Sequence, residues 1–222
     1  MRAFAIQLFL LITPLFAQAN EKSWSIRVAA MDIAEGHHIL WLRTGVGKEP
    51  IKIPLNTRIF SQPIDFKGSA ALAFYRSAIE ASAEEPPKPI ATTILRNDAT
   101  LIVFSPDVDH RKYAAYSISD IDFPFGSFRL VNFSRTTVRA EFSGKPELLK
   151  PGTAKTVTFR GERNNIPVRI LALAEGVPPR LARQSSWSIV SSQRELIFLL
   201  PNPESGFFQM RHFLDTRQEA QP

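Results

Sequence analysis

"DIDFPFGSFRLVNFS", residues 120–134, is the stretch on which the fold turns. It packs Phe123, Pro124, Phe125 and Gly126 together and leads directly into an alternating, strand-forming run. Proline has no N–H to give a ladder, and glycine tolerates the backbone of a tight turn, so "DIDFPFG" reads as a joint between two β units. The first unit's last strand is expected to end near Ser119, and the next to open at Ser127. A flexible linker would be longer and rich in glycine and serine. This one is short and aromatic, so Phe123 and Phe125 are expected to pack between the units and fix their angle. The other reading places both phenylalanines in one core.

Outward from the joint, the chain repeats itself. Ser25-Ile26-Arg27-Val28 lies over Ser127-Phe128-Arg129-Leu130 at an offset of 102 residues, and Gly47-Lys48 over Gly144-Lys145 at 97. "ATLIVFSPD" (99–107) lies over "RELIFLLPN" (194–202) at 95, and the same offset carries "KYAAYSISD" (112–120) onto "FFQMRHFLD" (207–215), with Asp120 over Asp215. An offset that drifts only at loops is the mark of a duplicated unit.

Each unit holds short segments rich in Val, Ile, Phe and Thr among 17 prolines and 10 glycines, which is the composition of an all-β chain. "TVRAEF" alternates Val138, Ala140 and Phe142 with Arg139 and Glu141, the period of a strand with one dry face. "KTVTFRG" does the same, and Pro151-Gly152 between the two suits a type II turn. "TLIVF" (100–104) and "ELIFLL" (195–200) do not alternate and read as strands buried on both faces. The expected fold is two tandem immunoglobulin-like β-sandwiches of about seven strands each, over 20–120 and 121–216, with a disordered tail at 217–222. Trp41 and Trp187 are the core candidates, and "EASAEEPPKPI" (80–90) is expected to be an exposed loop.

The first nineteen residues carry one positive charge at Arg2, an apolar run from Ala3 to Phe16, and small residues at Ala17 and Ala19. That is the layout of a secretory signal cleaved before Asn20, so the expected location is periplasmic or secreted. The mature chain has no further apolar run of spanning length, and no transmembrane segment is expected in it. It contains no cysteine, which removes thiol catalysis, iron–sulfur clusters and zinc ribbons. Without Arg2 it holds 26 basic and 21 acidic residues, a net charge of +5, with the basic side chains spread out. Nucleic acid is not an expected partner; an envelope protein or an acidic polysaccharide is.

No catalytic motif stands out. Adjacent His37 and His38 would point to opposite faces of a strand, and no metal is expected. Asp107, Asp109, Asp120 and Asp122 form two D-x-D pairs in junctions, without the glycine-containing spacing of a calcium loop. No G-x-S-x-G elbow or phosphate-binding glycine loop is present. Asn132-Phe133-Ser134 matches a glycosylation acceptor but falls inside an expected strand. The reading is therefore of a protein that is not an enzyme and has no cofactor, acting as a binding or assembly module through its surfaces or edge strands. Phe123, Phe125, Phe128, Arg139, Arg160 and Arg163 are its candidate contact residues. The alternatives are chaperone-like β-augmentation and an envelope glycan hydrolase working through two carboxylates.

In layout the chain resembles the periplasmic fimbrial chaperones, which are exported pairs of sandwiches that donate a strand to a subunit's open sheet. The likeness is of layout only: "LRNDATLIVFSPDVD" is the nearest stretch to that family's first-domain signature, and no functional residue carries over. "PFGSFRLVN" (124–132) also resembles the P-x-G-S-[FY]-R-[FLV]-x-N stretch that opens a sandwich in some uncharacterised bacterial secreted tandem β-sandwich proteins, a likeness that implies no activity.

Overall fold

The computed structural model describes residues 22–217 apart from 35, 108, 160–162, 175 and 203–207. The expected signal segment lies outside them. The first unit runs β1 (Lys22–Ala30), β2 (Ile39–Arg43), β3 (Ile51–Pro54), β4 (Ile64–Gly68), β5 (Ala71–Tyr75), a short helix α1 (Ala78–Ser82), β6 (Ala91–Ile94), β7 (Ala99–Pro106) and β8 (Tyr113–Ser119). The second runs β9 (Ser127–Asn132), β10 (Thr137–Phe142), β11 (Lys145–Leu149), β12 (Ala154–Thr158), β13 (Arg163–Leu173), β14 (Arg180–Ile189), β15 (Gln193–Pro201) and β16 (Phe208–Thr216).

The protein is all-β, and its two sandwiches repeat one topology. The sheets are β4-β1-β7-β8 and β3-β2-β5-β6 in the first unit, and β12-β9-β15-β16 and β11-β10-β13-β14 in the second. Every strand of the second unit occupies the place of the strand eight before it. Each unit has eight described strands, one more than the seven of an immunoglobulin constant domain, and a parallel pair at its centre: β1 with β7, β9 with β15.

The strand that sequence reading passed over differs between the copies. In the first unit it is β4, which begins at Ile64 after the chain has left the ladder at Pro54. In the second it is β11, hidden by Pro146, which the ladder tolerates because β11 is an edge strand. The β10–β11 hairpin turns on Ser143 and Gly144, both at positive φ (49° and 80°), as a two-residue hairpin loop requires. The Pro151-Gly152 turn forms as expected, with Gly152 at φ 75° and Thr153 N–H donating to Lys150 O at 3.1 Å. The helix α1 interrupts the expected 80–90 loop. It is started by Ser77, whose Oγ accepts from Glu80 N–H at 3.2 Å.

Alternation along the inner strands explains the runs that did not alternate in polarity. In β7, Ile102 and Phe104 face the first unit's own core while Leu101 and Val103 face away from it. In β15, Ile197 and Leu199 face the second unit's core while Leu196 and Phe198 face away. The two outward faces meet. They form a third hydrophobic layer with Ala29, Phe60, Ile118, Phe123, Val131 and Phe213, so the four sheets stack with β4-β1-β7-β8 against β12-β9-β15-β16. Phe198 sits at its centre, 5.6 Å from Phe133 and 5.8 Å from Phe213 between ring centroids.

Trp24 and Trp187 pack on the unit cores, but Trp41 does not: Leu40 and Leu42 take the inward positions of β2 and leave Trp41 half-buried on its outer face. Asn132, the nominal glycosylation acceptor, is fully buried. Its amide donates to Thr136 O (2.9 Å) and Leu149 O (3.0 Å), and its carbonyl accepts from Ser134 N–H at 3.0 Å, so it ties the two sheets of the second unit together.

Because the third layer belongs to both units, they are expected to unfold together. Phe198→Ala should lower stability by about 3–5 kcal/mol in a denaturant titration. Two separate transitions in the wild-type protein would show the layer to be dispensable.

Candidate functional site

A charged network crosses the inter-unit boundary. Arg27 of β1 comes from the first unit; Arg194 of β15 and Asp215 of β16 come from the second. The Asp215 carboxylate is buried and held from both sides. Arg27 reaches it with Nη1 (2.7 Å) and Nη2 (2.6 Å), and Arg194 with Nε and Nη2, both at 2.7 Å. Arg194 also pairs with Asp120, and its Nη1 donates to Phe123 O. Its guanidinium lies 4.9 Å from the Phe123 ring and 4.5 Å from that of Phe125. One arginine therefore holds both ends of the joint, and burial of the charges is offset by pairing and hydrogen bonding. Gly126 completes the turn at φ 78°, and its N–H donates to Gln193 O at 2.6 Å.

The candidate contact residues separate in three dimensions. Phe123 is fully buried in the layer shared by the units and Phe128 is buried in the second unit's core, so neither offers a surface to a partner, which corrects their reading as contact residues; the depth of an aromatic joint is not legible in its sequence. Phe125 is half-buried between Arg194 and Arg217, the latter 4.9 Å away. Arg217, expected in a disordered tail, is held there by its N–H to Ser192 O at 2.7 Å. Arg139 lies on the outer face of β10, 3.1 Å from Glu141, which also pairs with Arg169 at 3.1 Å. Arg163 opens β13 opposite Ile189, and Arg160 lies outside the described residues.

Two of the D-x-D carboxylates, Asp107 and Asp120, are engaged within the chain. Asp107 Oδ1 accepts from Arg111 N–H (2.7 Å) and Lys112 N–H (3.1 Å), bonds that hold its carboxyl below the usual range. Asp120 is engaged by Arg194. His37 is held below the usual imidazole range by burial and by Arg76. Among the described residues no three His, Cys, Asp or Glu side chains gather as metal ligands.

What the sequence did not show is a cleft of about 730 Å³ between the units, beside the open edge of β8. Arg96, Asn97, Ser117, Ser119 and Arg129 give it polar walls; Tyr116, Ile118, Val131 and Phe133 give it an apolar floor. The Tyr116 and Phe133 rings are 4.4 Å apart. Burial pushes the Tyr116 hydroxyl above the ordinary phenol range. Burial also lowers the Arg129 pKa, with Asp122 acting against it. Arg129 Nη1 donates to Asp122 O at 3.3 Å, whereas its Nε is buried without a hydrogen-bond partner. Among the described residues lining the cleft there is no Asp, Glu or His. Unit assembly creates this site, and its lining comes from segments 60 residues apart in sequence, so no local motif marks it.

No protein-family model matches the sequence, and no curated protein matches it. Among solved structures the chain is similar to the membrane pore complex of pneumolysin, at 11% identity and a TM-score of 0.32, with 74% of this chain matched to 43% of that one. The chain thus spans under half of that protein, and the likeness is too slight to carry a conclusion. Among the described residues no helix is long and apolar enough to cross a membrane.

The weight of the buried ion pairs can be measured. Asp215→Ala leaves two arginines facing one another and should cost about 3–5 kcal/mol in urea denaturation. Asp98→Ala, which removes only an exposed pair with Lys22, should change stability by no more than about 0.5 kcal/mol.

Proposed function

We propose that the protein is an exported, non-enzymatic binding module that holds its partner in the cleft between its two sandwiches. The observation that carries this reading is the chemistry of the cleft. It offers arginines, hydroxyls, an apolar floor and an unpaired strand edge, which are means of recognition. It offers no facing carboxylates and no imidazole, so neither glycan hydrolysis by paired acids nor general acid–base catalysis has its groups there. Export is supported by the charged, apolar and small-residue pattern of the first nineteen residues, and the expected compartment is the periplasm or the outside of the cell.

An envelope protein suits this site better than an acidic polysaccharide. The basic side chains on the outer face of the second unit are partly neutralised by Glu141, and the cleft's two arginines flank a pocket rather than a long cationic track.

Two measurements test the reading. The native protein should be recovered outside the cytoplasm with Asn20 at its N terminus; an uncleaved cytosolic chain removes the export half. Tagged mature protein should capture a partner from an envelope extract, Ala154→Trp should lose it by filling the cleft, and Leu181→Ser on exposed β14 should keep it. Equal recovery by the wild type and Ala154→Trp removes the cleft from the reading.

A further inference from the structure

The duplication makes each side of the inter-unit boundary a template for the other, so the places where the copies differ are informative. The 95-residue offset carries Ile118 onto Phe213 and Ser119 onto Leu214; the 102-residue offset carries Arg27 onto Arg129 and Ala30 onto Asn132.

On the β16 side the chain fills the groove itself. Ala30 N–H donates to Asn56 O at 2.8 Å, residues 57–60 then leave the edge of β1, and Ser61 N–H returns to Val28 O at 2.8 Å ahead of β4. Leu214 N–H donates to Arg58 O at 3.3 Å, and Ile59 forms a parallel bridge with Leu214. Phe60 is buried with its ring 6.0 Å from that of Phe213. Ser61 O accepts from Arg27 Nε at 3.0 Å, while the same guanidinium pairs with Asp215.

On the β8 side each of these partners is missing. Asn132 N–H donates to Thr153 O at 2.9 Å, the counterpart of the Ala30 bond, but β12 begins at the very next residue and no segment crosses. Asp120 N–H points to β7, donating to Ala99 O at 3.2 Å, so the alternation of the strand turns Ser119 N–H outward, as Leu214 N–H is turned. Ile118 lines the cleft at the position where Phe213 meets Phe60. Arg129 Nε is buried and unpartnered at the position where Arg27 Nε meets Ser61 O. The carboxylate equivalent to Asp215 is Asp120, and Arg194 has taken it; the residue equivalent to Arg194 in the first unit is Ala99. Among the described residues no carboxylate makes an ion-pair contact with Arg129, on which Asp122 acts only from farther off, and Arg96 adds a second positive charge to a lining without carboxylates.

We infer that the cleft is a peptide site for an extended, acidic, aromatic-bearing segment of a partner protein, which adds in parallel to the edge of β8 as residues 58–60 do to β16. A backbone carbonyl of the segment accepts from Ser119 N–H, its aromatic side chain enters against Ile118 and Val131, and a carboxylate next along the segment pairs with Arg129. Charge complementarity selects this occupant, and residues 218–222 of the chain itself contain no aromatic side chain. The inference rests on the proposed binding reading and specifies its ligand.

The probe is a synthetic peptide of residues 56–62 carrying Ser61→Asp, titrated calorimetrically into the mature full-length protein. Micromolar binding is expected, weakened at least about tenfold by Phe60→Ala in the peptide, and likewise by Arg129→Gln or Ser119→Pro in the protein. Proline is tolerated at an edge position whose N–H faces away from the ladder, and Arg129→Gln serves should Ser119→Pro fail to fold. No binding at millimolar peptide, or binding unchanged by both protein variants, overturns the inference. Envelope capture that still depends on Ala154 would then leave the cleft as a site for a different ligand.

Discussion

The apolar layer between the inner sheets is the constraint on which the rest depends. Each inner sheet is hydrophobic on both faces, and a sandwich can cover only one of them. Separated, the units would present Leu101, Val103, Leu196 and Phe198 to water, each worth roughly 1.5–3 kcal/mol for the larger side chains. Tandem domains joined by a linker ordinarily move relative to one another, because the surface between them is small and polar. Here the surface between them is a core, and the joint from Asp120 to Gly126 is short because the two inner sheets must lie back to back.

The buried charges take their meaning from that layer. Asp215 could not persist there alone, and the two arginines that reach it come from different units. Arg194 does more than pair with it: its position under the joint joins Asp120, Phe123 and Phe125 to the same carboxylate. A charge network of this kind adds little net stability over a hydrophobic replacement, but it is intolerant of altered register, since the two guanidiniums and the one buried carboxylate must meet at hydrogen-bonding distance from opposite units. Hydrophobic packing brings the units together, and the arginines select one angle among the many that packing alone would allow.

Much of the architecture was legible in the sequence because it is periodic. The alternation in 137–142 reports one dry face, and the drifting offset reports the duplication that the sheet orders repeat strand for strand. The runs at 100–104 and 195–200 were legible as doubly buried strands, but the source of the second burial was not, since no local pattern says that the far face is covered by the other copy. Trp41 and Phe128 show the same limit in opposite directions: both are large aromatics in strands, and only the register decides which one points inward. The cleft was beyond reach. Its walls are drawn from four strands and two turns, and the feature that opens it is the absence of residues matching 57–60, across a segment where the two copies share no similarity that would reveal an insertion. The Ser143-Gly144 pair and the Ser77-to-Glu80 cap were readable signals of β11 and α1.

A duplicated fold begins with two equivalent grooves, and chemistry can differ only where equivalence is lost. Two changes suffice here. Residues 57–60 close one groove with the chain's own backbone and Phe60. Arg194, standing where the first copy has Ala99, draws Asp120 away from Arg129 and leaves the other groove positively charged. Either change alone would give a different molecule: without the inserted segment both strand edges would lie open, and without Arg194 the remaining arginine could pair internally as Arg27 does. Together they leave one side finished and the other holding an unpaired strand edge, an apolar floor and a buried N–H without an acceptor, at a cost of order 1–3 kcal/mol for that donor. That cost disappears when an acceptor arrives from outside, which is why the asymmetry between the copies, rather than any single residue, carries the case for a binding site.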